Sequence, residues 1–538
     1  MPTADREQTS AADIESKGEK EVDNDDQLQY PSTKNALVVM IAIYLATFLV
    51  ALNRTIIATA IPRISDEFKS LDDIGWYASA YLIANCATQL IFGKIYTFYS
   101  PKWVYLGAII LFEIGSALCG AAPNSTAFIF GRAIAGMGSS AIFSGSIAIM
   151  VLIIPLRKRP LFMGFFGAIF GIASVVAPLL GGAFTDKVSW RWCFYLNLPL
   201  GGVTLLVVLL ILKVPESKNN IKDEKANAPL KEKLLHLDPL GTLCFLPGMI
   251  CLLLALQWGG TVYSWGSARI VVLLVLFVVL IGLFLAIQVL KKEGTTLPTR
   301  IMLQRSILAG VWSSICNGGS MLLMAYYLPI WFQAIKGVDA VQSGIMTIPF
   351  VLSLVVGTIM GGGIVNRTGY YTPPMIVSCV LSSIGAGLIT TFKTDTGHAK
   401  WIGYQVLFGF GFGLGMQQPS MAAQTALAKK DVPVGASLMF FSQSLGGAIF
   451  VSAGQNIFAN RLESGLAKVP GIDASVIVEV GATALRSIVR GPENLRQVLQ
   501  EYNTALVDSY RLALILSCVT IVGALSMEWR SIKEKEKV

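Results

Sequence analysis

The chain has 538 residues, of which 54% are hydrophobic and only 14% are charged, and its mean hydropathy is +0.62. Soluble domains carry about 25% charged residues, so this composition excludes an ordinary soluble protein. The net charge of +9 would suit nucleic-acid binding in a soluble protein. In a membrane protein it indicates cytoplasmic loops rich in Lys and Arg, and we expect no nucleic-acid partner.

The first residues of the chain are polar and acidic. Nine Asp and Glu residues occur before residue 35, and such a stretch cannot bury enough apolar surface to fold. It does not read as a signal peptide. We therefore predict a disordered acidic cytoplasmic tail at 1–35, followed by an uncleaved first span.

Long uncharged apolar runs follow, each about 20 residues long, the length that crosses roughly 30 Å of hydrocarbon. Spans in lipid must be helical here because backbone groups find no outside partner. The sequence predicts fourteen spans, at 36–62, 75–96, 103–121, 127–152, 160–183, 193–213, 239–258, 269–290, 306–334, 342–365, 374–392, 401–426, 434–459 and 510–529.

The even number of spans predicts that both termini lie on one side, and the distribution of Lys and Arg places that side in the cytosol. The cluster 157–159 and the six Lys residues between 213 and 233 then fall inside. The predicted organisation is a six-helix bundle at 36–213, a cytoplasmic loop at 214–238, two extra helices at 239–290, a cytoplasmic loop at 291–305, a six-helix bundle at 306–529 that includes an external loop at 460–509, and a cytoplasmic tail at 530–538. The external loop is amphipathic, which predicts a surface helix at about 485–506.

Two charged residues stand out within the first and third spans. Arg54 either faces a cavity or reaches the outer interface with its long side chain, because a charge in hydrocarbon is costly. Glu113 is the only acid well inside any predicted span. Burial disfavours its charged form, so it is a candidate proton carrier; the alternative is a charge pair with Arg54 or Arg132 that only holds helices together.

The fourth and fifth spans carry small residues at helical spacing. In the fourth, Arg132 stands at the outer end of a stripe formed with Ala135, Gly136, Ser139 and Ser140, which predicts close helix packing beside a functional Arg. In the fifth, a glycine face and a proline predict a helix that can bend at a helix contact. Its candidate conformational residues are Gly171, Pro178, Gly181 and Gly182.

Amide side chains within later spans need polar partners and are candidates to line a cavity. Together with Asn53 in the first span, the cavity-lining candidates are Asn317, Gln417, Gln418 and Gln443. Asn124 begins an Asn-Ser-Thr sequon in a predicted external loop and is a candidate glycosylation site.

These segments together resemble the major facilitator superfamily, in its fourteen-spanner drug:proton antiporter branch, over about 36–530. Leu52–Pro62 resembles the first-span pattern of that branch, 131–140 its fourth-span Arg motif, and 171–182 its fifth-span antiporter motif. The string from Trp190 to Pro199 is specific for the branch. The Gly-rich run ending at Pro419 and the run 441–448 look like fungal members that export toxins or secondary metabolites.

The resemblance implies an all-α membrane fold of two six-helix bundles with alternating access. Asn53 stands where the family has Asp, Ala177 stands where Gly is usual, and 93–100 lacks the usual Asp. The first-span acid is therefore absent, which shifts the proton-coupling role to Glu113.

The predicted function is secondary active efflux of an amphiphilic organic compound, coupled to protons, by a monomer in the bilayer of the plasma membrane, with a vacuolar or vesicle membrane as the alternative. An importer of the same fold, for example for siderophores, is the second reading. A membrane enzyme would need clustered His or acids, and the two isolated His residues do not supply such a cluster. A nutrient sensor would need a large cytosolic tail, and the short predicted tails argue against it. Eight scattered Cys and two His residues predict no metal site and no cofactor.

Overall fold

The computed structural model describes residues 31–70, 73–212, 238–260, 262–291, 295–467, 469 and 491–533. The predicted acidic tail up to residue 30, the predicted loop 214–238 up to residue 237, residues 468 and 470–490 of the external loop 460–509, and the last five residues of the predicted C-terminal tail lie outside this part of the chain. Within the described ranges, β pairing is limited to two isolated bridges.

Helices occupy all fourteen positions where the sequence predicts spans. They are α1 Thr33–Phe68, α2 Ile74–Phe98, α3 Pro101–Ala121, α4 Ser125–Ile153, α5 Arg159–Lys187, α6 Asn197–Ile211, α7 Pro239–Trp258, α8 Ala268–Lys291, α9 Arg305–Trp331, α10 Ile348–Thr368, α11 Thr372–Ile389, α12 His398–Met416 with its continuation Gln418–Ala426, α13 Val432–Leu466 and α14 Pro492–Ser526.

Twelve helices of the described chain are long and apolar enough to cross a membrane, and α2 and α12 are not among them. Both carry buried polar side chains, such as Gln89 in α2 and Gln405 in α12. Polar groups are tolerated at membrane depth where they face protein and not lipid. The all-helical membrane fold is confirmed, whereas the span count of fourteen stays a prediction at these two helices.

The external loop is shorter than predicted because helices extend into it from both ends. α13 continues to Leu466, and α14 already begins at Pro492. The amphipathic segment predicted as a surface helix at 485–506 is instead, from residue 492 onward, the first part of α14. Its apolar stripe, which includes Val498, Tyr502 and Leu506, is buried, and the Tyr502 ring lies 5.2 Å from that of Phe458 on α13.

Within the first bundle, α3 and α4 pack closely because glycines leave room for the opposite backbone. A Cβ atom on Gly115 would lie 2.8 Å from the Cβ atom of Ala135, and one on Gly138 would lie 2.8 Å from that of Phe112. Small residues at helix contacts are what allow such an approach in membranes. Of the stripe predicted in the fourth span, Ala135 lies in this contact with α3, and Gly136 packs against the Tyr81 carbonyl of α2.

The two bundles meet in a seam on the side where α1 begins and α14 ends, which we call the termini side. The rings of Phe143 on α4 and Phe440 on α13 are 4.4 Å apart. Next to them, the hydroxyl groups of Ser437 and Ser144 are 3.0 Å apart. On the other flank, α5 packs against α10 through glycines, and a Cβ atom on Gly164 would lie 2.7 Å from the Thr358 carbonyl oxygen.

The extra helix α7 contacts both bundles. Trp258 packs edge-on against Trp76 of α2 at 5.7 Å, and the carbonyl of Leu256 accepts a hydrogen bond from Ser452 of α13 at 3.0 Å. On the termini side, Phe245 lies 5.5 Å from Phe441. α7 therefore runs along the seam between the bundles.

Asp238 caps the start of α7 and ties it to α8. Its carboxylate accepts hydrogen bonds from Gln288 at 2.8 Å and from the Thr296 backbone at 3.0 Å. Burial opposes ionisation of Asp238, but these hydrogen bonds, one from Gly241 and the charge of Lys94 outweigh it and lower its pKa. A carboxylate held ionised in this way fixes α7 to α8 and to the segment that leads into α9.

The α3–α4 contact predicts the effect of two substitutions on one helix. Gly115→Leu would force a side chain into the backbone of Ala135 and should destabilise the protein by at least about 3 kcal/mol. Gly107→Leu is the control, because Gly107 is exposed with open space around it. Thermal melting followed by fluorescence-detected size exclusion should show a lower melting temperature for Gly115→Leu alone; equal melting of both variants would contradict this packing.

Candidate functional site

A buried guanidinium lies at the centre of the first bundle. Arg132 on α4 is 1% exposed. Its Nε donates to the carbonyl of Tyr77 at 2.8 Å, and its Nη1 donates to the carbonyl of Asn53 at 3.3 Å and to the side-chain oxygen of Asn53. The guanidinium also lies 4.5 Å from the centre of the Tyr81 ring. All these partners are neutral, so dipoles and an aromatic face hold the charge without a carboxylate.

The Asn53 side chain connects this charge to two further helices. Its amide nitrogen donates to the hydroxyl of Ser116 on α3 at 3.4 Å, and Asn197 on α6 donates to the same hydroxyl at 3.1 Å. The side-chain oxygen of Asn197 is buried and has no hydrogen-bond partner among the described residues. A polar chain therefore runs from Arg132 to α6 and ends in an unused acceptor.

Glu113 lies one helical turn from Ser116 on α3, towards the termini side. Both of its carboxylate oxygens are buried, and neither has a hydrogen-bond partner in the part of the chain described. The side chain occupies the space beside Gly201 of α6, where even a Cβ atom would collide with it. No ion pair joins Glu113 to Arg54 or Arg132 in these ranges, so the charge-pair alternative is not what the structure shows.

Side chains on helices that border the seam become more exposed towards the far side, opposite the termini side. Thr47, Ala51, Arg54 and Ala58 follow one face of α1 at helical spacing. The first two are buried, Arg54 is half-buried and Ala58 is exposed. This face therefore opens steadily from the seam towards the far side.

The same gradation occurs on the helices opposite. On α2, Gln89 is buried, Asn85 is half-buried and Leu82 is 41% exposed. In the second bundle, Asn317 and Gln443 are half-buried, and Gln443 lies one turn beyond Phe440 of the seam. We call the region bordered by these graded faces the central cleft; the half-buried polar side chains on the faces are Arg54, Asn85, Asn317 and Gln443.

Arg54 lies on the graded face of α1, which differs from the face that α1 turns to lipid. The lipid-facing side chains of α1, Leu37 and Ile41, are 52% and 58% exposed and lie on a different face of the helix. Arg54 interacts electrostatically with Tyr81 and Cys86 of α2, which places it against the interior of the first bundle. This geometry favours the cavity interpretation of Arg54 over the interfacial one.

All four conformational candidates lie within α5, and two of them, Gly171 and Gly181, pack against other helices. Gly171 packs against Val355 of α10, at the seam. Gly181 packs against Ile56 and Thr59 of α1. Pro178 lies inside the continuous helix α5. Gly182, in contrast, has no neighbour within 4 Å of an added Cβ atom, so it makes no close contact.

Gln417 and Gln418 lie away from the cleft. They mark the break between the two segments of α12 and are buried in helix packing, where Gln418 donates to the Leu414 carbonyl at 2.8 Å. The side-chain oxygens of both glutamines, the Ser420 hydroxyl and the amide of Gln424 are buried without a partner among the described residues.

Residues 43–292 and 248–451 match the Major Facilitator Superfamily. The chain belongs to this superfamily. It is therefore a multi-pass membrane transporter, and the sequence-based expectation of the fold and family is confirmed.

Two relatives and one solved structure describe its place in the superfamily. The MFS-type efflux pump MFS1 of Arthroderma benhamiae is 53% identical over 93% of this chain and 92% of that protein. The rubrofusarin-specific efflux pump aurT of Gibberella zeae is 50% identical over 95% of this chain and 93% of that protein. The proton:xylose symporter XylE, 12% identical, aligns with a TM-score of 0.58 over 93% of this chain and 99% of that one, which shows the fold alone.

The glycosylation candidate of this transporter lies at the far side. Asn124 is exposed and begins α4, where its side-chain oxygen accepts a hydrogen bond from the Ala127 backbone at 2.9 Å. The same Asn124 side chain caps the helix and would carry the glycan. Glycosylation of Asn124 stays a prediction.

Sequence reasoning missed Ser116 and Asn197 as members of the site. Asn197 lies within the string 190–199 that identifies the branch, and that position was the available signal. Ser116 offers no signal of its own, because one Ser in an apolar run is common. Its importance comes from the tertiary contact that brings Asn53 and Asn197 to one hydroxyl.

The role of the Asn53 side chain can be tested by two substitutions, of which only one keeps its acceptor. Asn53→Leu would leave Arg132 without its side-chain oxygen partner and should destabilise the transporter by about 1.5–3 kcal/mol, the usual cost for a hydrogen bond to a charged group. Asn53→Asp keeps the acceptor and should melt no lower than the wild type. If Asn53→Leu melts like the wild type, the Arg132 charge does not depend on Asn53.

Proposed function

We propose that this transporter exports an amphiphilic organic compound in exchange for protons, by exposing the central cleft alternately to the two sides of the membrane. Two relatives at 50–53% identity over more than 90% of both chains are named efflux pumps. The open cleft on one side and the close seam on the other supply two surfaces that alternating access requires. Export is favoured over import because those relatives' names describe efflux.

The proposal includes fourteen spans with the termini side in the cytosol. The basic cluster Arg157–Lys158–Arg159 lies between α4 and α5 on that side, as the positive-inside rule expects. The described conformation then has its cleft open to the outside. We expect the transporter to act as a monomer in the plasma membrane.

Glu113 is the proposed proton carrier, and its burial carries the argument. An ionised carboxylate with both oxygens buried and unpartnered is strongly disfavoured. Glu113 is therefore protonated in the described conformation, with the proton on a carboxylate oxygen beside Gly201. Loss of that proton creates a charge that the α3–α6 contact cannot hold, so helix movement must accompany it.

The polar chain supplies the route by which this movement reaches the rest of the bundle. Asn197 lies on the same face of α6 as Gly201, and Ser116 lies one turn from Glu113 on α3. A shift of α3 against α6 would alter the shared hydrogen bonds at Ser116 and, through Asn53, the support of Arg132. Because α1 and α4 both border the central cleft, proton loss from Glu113 is coupled to closure of the cleft.

Transport by reconstituted protein tests this proposal. Proteoliposomes with an acidic interior should accumulate at least one of three fluorescent amphiphiles (one acidic, one neutral and one cationic) until a protonophore removes the pH gradient. Glu113→Gln, which keeps the size of the side chain but cannot release a proton, should reduce gradient-driven accumulation to the protonophore level.

The control is Glu463→Gln, at an exposed acid near the far end of α13, which should transport at the wild-type rate. Wild-type rates in Glu113→Gln, or no gradient-driven accumulation of any of the three compounds by the wild type, would contradict the proposal.

A further inference from the structure

Arg54 is a cation in the central cleft for which the described chain provides no counter-charge. No hydrogen bond or ion pair to its guanidinium occurs in the ranges that the structure describes. The acid within the spans, Glu113, is buried against α6 on the other side of the polar chain. A guanidinium stays charged at any physiological pH, so Arg54 cannot relieve its burial by losing a proton.

The guanidinium groups of Arg132 and Arg54 in the first bundle differ in whether their N–H groups donate hydrogen bonds within the protein. Arg132 donates to Tyr77 and Asn53 and stacks on Tyr81, so these contacts occupy it inside the bundle. Arg54 acts on the same Tyr81 electrostatically but makes no such hydrogen bonds. Arg54 is half-buried, and its guanidinium nitrogens are not among the fully buried atoms without a partner, so a compound that enters the cleft can reach them.

The surroundings of Arg54 fit the body of an amphiphile. Leu82, which is 41% exposed, offers apolar surface on the graded face of α2, and the half-buried Asn85 and Gln443 offer neutral hydrogen-bonding groups. The position is reachable from the far side, because Ala58, one turn further out on the same face of α1, is exposed.

We propose that Arg54 binds an ionised acidic group, a carboxylate or an ionised phenol, of the compound that this transporter carries. The inference rests on the proposed efflux function and specifies its substrate class as acidic amphiphiles. A guanidinium pairs with a carboxylate through two parallel hydrogen bonds. In a site screened from bulk water this pairing is stronger than at a protein surface. Arg54 would thereby discriminate acids from their neutral esters.

Equilibrium binding in lipid nanodiscs, without any pH gradient, tests the assignment. The probes are 9-anthracenecarboxylate and its methyl ester, which share one fluorescent ring system and differ in charge. The wild type should bind the acid at least about tenfold more tightly than the ester. Arg54→Gln should reduce affinity for the acid roughly tenfold to a hundredfold, the usual range for a lost charged hydrogen bond, and leave that for the ester unchanged.

Two further variants make the result specific. Arg54→Lys keeps the charge but not the fork of donors, and should retain a reduced preference for the acid. Arg63→Gln, at an exposed position on the same helix, should bind both probes like the wild type.

The assignment is overturned if the wild type shows no preference for the acid or binds neither probe, or if Arg54→Gln keeps the preference. Transport by the wild type separates this result from the efflux proposal. If the wild type shows no gradient-driven transport but keeps the acid preference, the efflux proposal falls and the anion site stands. If transport succeeds but the preference is absent, only the anion site falls.

Discussion

A positive charge buried at membrane depth must find compensating groups, and Arg132 imposes this requirement on the first bundle. Carbonyls from α1 and α2, the Asn53 amide and the Tyr81 ring supply the compensation. Each of these contacts fixes one helix relative to α4. The arrangement of α1, α2 and α4 around the cleft therefore depends on holding one guanidinium with neutral groups.

No carboxylate of the described residues pairs with Arg132, and this has a consequence for coupling. An acid at position 53 would pair with Arg132, whereas Asn53 cannot exchange a proton. The amide nitrogen of Asn53 instead donates a hydrogen bond to Ser116, and the polar chain continues from Ser116 to Asn197. Glu113 lies one turn away from this chain in an apolar contact, where its protonation state and the spacing of α3 and α6 must change together.

The seam between the bundles relies on small residues, which suits a contact that must form and separate. Gly164 and Gly171 bring α5 close to α10, and Ser144 meets Ser437 between α4 and α13. Such contacts are extensive but contain few interactions that are costly to break. α7, which packs on both α2 and α13, lies along the same seam and accompanies that movement.

The fold was predictable because run length and hydrophobicity decide helices in lipid. The ends of the helices were less predictable. α14 begins at Pro492 because Val498 and Tyr502 pack against α13, and periodicity alone cannot distinguish this tertiary contact from a surface helix.

Arg54, Arg132 and Glu113 stand out in sequence because charge is rare in spans. The partners of Arg132 were not predictable, since they are two backbone carbonyls, the Asn53 side chain and the Tyr81 ring, and not another charge. Gln417 and Gln418 resemble cavity residues in sequence but lie buried at a helix break.

Infrared difference spectroscopy of the reconstituted transporter tests most directly whether Glu113 carries the proton. Spectra recorded on raising the pH should show loss of the carbonyl stretch of a buried, protonated carboxylic acid in the wild type and in Glu463→Gln. That band should be missing in Glu113→Gln. An identical band in Glu113→Gln, or no such band in the wild type, would contradict the account.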